Sequence, residues 1–243
     1  MFIVPAASGA VELETPNPKP ETLNPPIIIA IDGPSASGKG STSRALAQRL
    51  GFLHVDTGAI YRALTWQCQR LGIVPTDSKV KELPDPAAVA RECQSWPVKL
   101  VVVDGAVRVE IAGQRLVDEL RTDAVANKVA LVSHVPAVRE WMLGFQRSCT
   151  QFGNVVVEGR DIGTRIFPET PFKFYFEAHP EVRERRGTHA GHGGAVSDRD
   201  RLDADLNFAA KDAVLIDTSH LTVPETVEII VRELKKKAPE AFR

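Results

Sequence analysis

An α/β fold built on a doubly wound parallel sheet is predicted by three observations. The apolar run Ile27-Ile28-Ile29-Ala30-Ile31 reads as a buried strand and leads straight into a glycine-rich loop over residues 33–41 and a helix-compatible stretch over 42–50. Further apolar strands recur between helical patterns, the order that gives parallel strands joined by crossover helices. With 243 residues and 43% hydrophobic content, the chain can bury a large core.

The elements follow in order. Residues 1–26 are proline-rich and read as a mobile tail, so the folded domain is expected over 27–243. The loop Gly33-Pro34-Ser35-Ala36-Ser37-Gly38-Lys39-Gly40-Ser41 carries the complete spacing G-x-x-x-x-G-K. Its glycines permit backbone conformations that let successive N–H groups converge on phosphate oxygens, and the following helix adds its positive end. Lys39 is placed for the β- and γ-phosphates of a nucleoside triphosphate, and the hydroxyl of Ser41 or Ser37 for a magnesium ion carried with it. Gly40 stands where a Ser or Thr is usual, so the hydroxyl arrives one residue late, as in nucleotide kinases.

Phe52-Leu53-His54-Val55 is a second short strand delivering Asp56-Thr57-Gly58 to its C-terminal end, where open α/β sheets bind ligands, and 59–71 reads as a helix. Asp85-Pro86 starts a helix over 87–94. Residues 98–103 and 107–111 then form β-rich runs joined through the turn signal Asp104-Gly105. A hairpin does not belong inside a βαβ series, so residues 76–150 are expected to be an inserted α+β region with its own small sheet, shaping the second substrate's pocket. One helical stretch is expected over 124–132 and another over 137–148, separated by Pro136. The core resumes with strands at 154–158, 172–176 and 214–216. The last helix has Thr222 and Glu225 as a capping box, a stripe of Val227, Ile230, Val231 and Leu234, and Lys235 to Lys237 at its end.

Composition excludes several function classes. A net charge of −1 gives no footprint for nucleic acid or a membrane surface. The three cysteines, Cys68, Cys93 and Cys149, are far apart, so neither a disulfide framework nor a zinc ribbon is expected, and a reducing cytoplasm is the natural setting. No signal or transit peptide and no membrane span is recognised, and a monomer is expected. His189 and His192 sit in a glycine-flanked loop without a third ligand and are not read as a metal site. Trp66, Trp96 and Trp141 read as packing residues.

A phosphate loop alone does not separate switches, motors and kinases. A GTP switch would need N-K-x-D, and Asn127-Lys128-Val129-Ala130 lacks the acid. What the chain offers instead is arginines beside acids at loops and helix ends: Arg62, Arg139, Arg160, and the group Arg183, Arg185, Arg186, Arg199, Arg201. Transfer of a phosphoryl group between two anionic phosphates needs such planar, permanently charged forks and no Ser, Cys or His nucleophile.

The segments Asp56-Thr57-Gly58-Ala59-Ile60-Tyr61-Arg62, Val138-Arg139-Glu140, Glu158-Gly159-Arg160-Asp161-Ile162-Gly163-Thr164 and Asp212-Ala213-Val214-Leu215-Ile216-Asp217-Thr218-Ser219 together resemble the cytidylate (CMP) kinases, P-loop nucleoside-monophosphate kinases. The resemblance runs from about residue 27 to 234. It implies transfer of the γ-phosphate of ATP to CMP or dCMP with Mg²⁺. It also implies that Thr57, Tyr61 and Arg62 line the acceptor nucleotide, that Arg139 reads the cytosine, and that Arg160 and Asp161 contact the acceptor phosphate and sugar. Two departures stand beside it. A serine of the family's pattern is replaced by Ala130, so that either Ser133, three residues on, substitutes as the base-reading hydroxyl or a base contact is missing. The lid, over 183–203, is short, and Arg199 and Asp203 match the R-D-x-x-D part of a family pattern whose last Arg is here Leu206. Lys39, Arg160, Asp161, Arg199 and Asp203 are the expected catalytic set. Another small-molecule P-loop kinase, or a non-catalytic ATP-binding protein with a degenerate lid, are the alternatives.

Overall fold

A computed structural model of the protein describes residues 25–77, 84–189, 203 and 205–242. The expected mobile tail therefore lies almost wholly outside the described residues, as do Arg199, Arg201 and His192. Among the described residues, eight strands form one sheet. They are β1 (Ile28–Asp32), β2 (Leu53–Asp56), β3 (Val98–Val103), β4 (Ala106–Ile111), β5 (Gln114–Arg115), β6 (Val155–Gly159), β7 (Phe172–Glu177) and β8 (Val214–Asp217), in the order β3-β4-β2-β6-β1-β7-β8, with β5 paired to β4. From β4 to β8 neighbouring strands run parallel; β3 and β5 pair antiparallel with β4.

The helices are α1 (Lys39–Leu50), α2 (Thr57–Arg70), α3 (Pro86–Ser95), α4 (Asp123–Ala126), α5 (Val129–Ser133), α6 (Pro136–Arg147), α7 (Pro180–His189) and α8 (Val223–Lys237). Strand periodicity decides which face each covers, because successive side chains point to opposite sides. Ile29 and Ile31 of β1 pack with Val156, Phe174, Phe176, Leu46 of α1 and Ile230 and Leu234 of α8. Ala30, between them, joins Val155, Val157, Leu64 of α2, Cys93 of α3 and Met142 of α6 on the other face. Each fully buried Leu or Ile contributes about 1.5–3 kcal/mol, and β1, buried on both faces, carries them without alternation, as central parallel strands do. The capping box of α8 forms as its sequence signals: the Thr222 N–H donates to Glu225 Oε2 at 2.7 Å and the Glu225 N–H to Thr222 Oγ1 at 3.4 Å.

Two expectations change. The hairpin β3–β4 turns tightly through Asp104 and Gly105, both at positive φ (49° and 70°), as a two-residue turn requires. It does not carry a sheet of its own, however: β4 pairs in parallel with β2, His54 opposite Ala106 and Val55 opposite Val107, so the hairpin extends the central sheet. The helical stretch expected over 124–132 is two short helices, broken at Asn127-Lys128, where the Lys128 N–H bonds back to Val125 O three residues away and not four. No helix among the described residues is long and apolar enough to cross a membrane.

Candidate active site

The phosphate loop sits at the C-terminal end of β1, between β6 and β7, where parallel sheets open to ligands. Gly33 has φ +146°, and a Cβ there would lie 2.4 Å from the Phe176 carbonyl oxygen on β7. Ala36 (φ 58°) and Gly38 (φ 90°) hold left-handed conformations that curl the loop before α1 begins at Lys39. The Lys39 ammonium donates to Pro34 O at 2.6 Å and lies 3.4 Å from Ser37 Oγ. Burial, reinforced by the nearby Arg160 charge, pushes its pKa down to about 7. Ser41 is exposed in the first turn of α1, its hydroxyl 3.1 Å from Gly38 O.

A second layer holds the loop from outside. Arg160, directly after β6, donates to Gly33 O at 2.9 Å and to the Asp203 carboxylate at 3.0 Å. Arg183 of α7 donates to Ser35 O at 3.3 Å. Arg186, one turn on, donates to Thr218 O (2.7 Å), and the Thr218 hydroxyl, just past β8, donates to Ser37 O (2.8 Å). Strands β6 and β8, far apart in sequence, thus each contribute a residue that grips the loop.

At the end of β2, Asp56 caps α2 by accepting from the Ala59 N–H (3.0 Å) and from Arg62 (2.7 Å). Burial alone would raise its pKa; Arg62, His54 and the Ala59 N–H outweigh that and hold it below the usual carboxyl value. Arg139 of α6 forms an ion pair with Asp161, both largely buried, so α6 reaches the segment after β6. Tyr61 packs against the core on this side, and burial raises its phenol pKa.

The sequence-predicted residues separate into three groups. Lys39, Arg160, Asp203, Arg139, Asp161, Arg62 and the loop 33–41 converge on the ends of β1, β2 and β6. The Thr57 hydroxyl donates to Glu158 O (2.7 Å) and so ties α2 to β6, and the Ser133 hydroxyl donates to Ala130 O (3.1 Å) on its own helix. Arg199 falls outside the described residues.

Three residues that hold the site together were given no role by the sequence. Asp32 ends β1 buried and accepts from the Ile162 N–H (2.8 Å) and the Gly163 N–H (2.7 Å), opening a π-helical turn over Ile162–Ile166. Burial pushes its carboxyl up to about 6 against the pull of those amides. The others are His54, bonded to Glu158, and Thr218. An acid ending an apolar strand was the available signal for Asp32.

Residues 29–236 match the family model described as cytidylate kinase. Among curated proteins, the chain is 37% identical over 219 residues to a cytidylate kinase of Pelotomaculum thermopropionicum, covering 84% of this chain and 93% of that protein. It is 38% identical over 223 residues to one from Nocardia farcinica (85% and 93%), and 35% identical over 233 residues to one from Geobacter sulfurreducens (88% and 97%). A solved structure, TT1252 from Thermus thermophilus, aligns over 88% of this chain and 99% of its own at 21% identity and a TM-score of 0.44.

Proposed function

Since the chain belongs to the cytidylate kinase family, we propose that it transfers the γ-phosphate of ATP to CMP or dCMP, giving ADP and CDP or dCDP. The observation that carries this is the Arg160-Asp161 dipeptide. Arg160 holds the donor loop through Gly33 O, and Asp161 is paired with Arg139 from the inserted region, so two consecutive residues join the triphosphate side to the acceptor side.

In this reading the loop amides and Lys39 receive the β- and γ-phosphates, and Arg160 lies between donor and acceptor phosphates to spread the charge of the transferring group. Arg62, half-exposed beside Asp56, turns its remaining N–H donors to the acceptor phosphate. Arg139 faces the base, and Asp161 accepts from sugar hydroxyls. Thr57 and Tyr61 shape the pocket floor, and Ser133 presents its hydroxyl to the base once released from Ala130 O. Asp203 orients Arg160, and Arg199 lies outside the described residues. A magnesium ion fits the chemistry at the start of α1, since Ser41 offers an exposed hard oxygen. When bound, the ion would neutralise charge between the β- and γ-phosphates. The protein is proposed to act as a cytoplasmic monomer.

A coupled ADP-release assay with CMP, dCMP, UMP, AMP and shikimate tests the assignment. CMP and dCMP should give the highest kcat/KM, and Arg62→Ala and Arg160→Ala should each lower it more than tenfold, about 1.4 kcal/mol. Turnover on UMP or AMP well above CMP would overturn the substrate. ATP binding without any acceptor-dependent ADP would favour the non-catalytic alternative.

A further inference from the structure

Glu158, the penultimate residue of β6, lies against the phosphate loop. Its Oε1 lies 3.0 Å from His54 Nε2 on β2 and 3.1 Å from where a Cβ on Gly40 would stand. His54 is 2% exposed, and its Nδ1 has no hydrogen-bond partner among the described residues. Facing a carboxylate, Nε2 must be the N–H donor. An aliphatic side chain would fill the same space without burying an unpaired nitrogen, so packing alone is a poor account of a histidine here.

The surroundings sharpen this. Asp56 stands opposite Glu158 across β2 and β6, two carboxylates side by side, and each has its own tether: Arg62 for Asp56, His54 for Glu158. The Lys39 ammonium is within electrostatic reach of Glu158. A free Glu158 carboxylate would compete with phosphate for that ammonium.

We propose that His54 is a positioning residue for the donor nucleotide: it holds the Glu158 carboxylate in the space that Gly40 leaves open and keeps it off Lys39. Gly40 is then required sterically, because any side chain at this position presses on the tethered carboxylate. The departure from the usual G-K-[ST] spelling and the buried histidine are two parts of one device. The inference rests on the reading that this loop takes ATP.

The test measures ATP affinity by calorimetry, without acceptor and with a chelator present, beside steady-state kinetics. His54→Leu should weaken ATP at least tenfold while leaving the CMP KM within twofold. His54→Gln, whose amide nitrogen falls near the imidazole Nε2, should restore affinity to within threefold of wild type; His54→Asn, too short to reach Glu158, should not. Gly40→Ala should weaken ATP less in the His54→Leu background than in wild type, because the carboxylate is no longer pinned. Equal affinity for the Leu variant and wild type, or Gln no better than Asn, would overturn the proposal. Should the Leu variant fail to fold, the Gln and Asn pair still decides. Wild-type protein that binds ATP but turns over no CMP would sink the kinase reading and leave this one standing.

Discussion

Lys39 makes a quantitative prediction about protons. Burial first, and the nearby Arg160 charge second, push its pKa down to about 7, against the ammonium's own hydrogen bond to the Pro34 carbonyl. At pH 8 the free protein therefore carries a proton on Lys39 in about 10% of molecules. An anionic triphosphate against the amine reverses the bias and returns the group toward its ordinary value of 10.5. ATP is already fully ionised at pH 8, so binding should take up about 0.9 proton per site. Calorimetric titrations in buffers of different ionisation enthalpy report this number as the slope of observed enthalpy against buffer enthalpy. A slope near zero, or a negative one, would refute the account of Lys39. A second arm follows from the same depression. For a base whose folded pKa is lowered, stability rises with pH between about 7 and 10.5, and the penalty below that window is about 5 kcal/mol. Lys39→Met removes the penalty and loses one hydrogen bond of about 1 kcal/mol. It should therefore raise the melting temperature at pH 7 by about 8 °C or more while abolishing ATP binding, and an unchanged or lowered melting temperature counts against the buried charge.

Two further perturbations separate steric from electrostatic causes. Gly33→Ala places a Cβ 2.4 Å from the Phe176 carbonyl at φ +146° and should cost about 3 kcal/mol or more by chemical denaturation; Gly38→Ala, whose added Cβ would meet nothing nearer than Arg186 at 3.9 Å, should cost only the backbone strain of about 1–2 kcal/mol. If the two variants are equally stable, the close approach of Gly33 to β7 is not what requires the glycine. Asp32 has a folded pKa raised from 3.8 to about 6, so its stabilising contribution is complete below about pH 4 and is lost as pH rises through about 6. The stability of wild type minus that of Asp32→Asn should therefore fall by about 3 kcal/mol across that window, and a flat difference curve would show that the burial penalty is absent.

The parts of this protein that were legible in its sequence are those whose cause is local. The loop at 33–41 carries glycine at two of its three positive-φ positions, Gly33 and Gly38, with Ala36 the third; the β3–β4 turn is written in Asp104-Gly105, and the start of α8 in Thr222 and Glu225. Pairing partners have no such local signature. That β4 would dock on β2 depends on a match of two strands about fifty residues apart, and the expected separate sheet was wrong for that reason. The π-helical turn at Ile162–Ile166 was illegible for the same cause: the amides of Ile162 and Gly163 are taken by Asp32, 130 and 131 residues earlier. Arg160 and Asp161 could be picked out by their motif, but the contacts of Arg160 with Gly33 and Asp203 exist only once β1 and β6 are neighbours.

The cations around the loop have a structural reason to be where they are before any nucleotide arrives. For backbone N–H groups to converge on an anion, the carbonyls of the same peptides must face the other way, toward protein, where an unpaired acceptor is costly. Four of them are accounted for: Gly33 O by Arg160, Pro34 O by Lys39, Ser35 O by Arg183, and Ser37 O by Thr218, itself held by Arg186. Long cationic side chains suit this position because one or two N–H groups satisfy a carbonyl while the others stay available to phosphate. The same contacts therefore fix the loop's shape and store positive charge at its rim, and losing one of these arginines should disturb both. Arg183→Ala should thus lower ATP affinity and also increase amide exchange in residues 33–38, and weaker binding with unchanged exchange would mean that the arginine acts on phosphate alone.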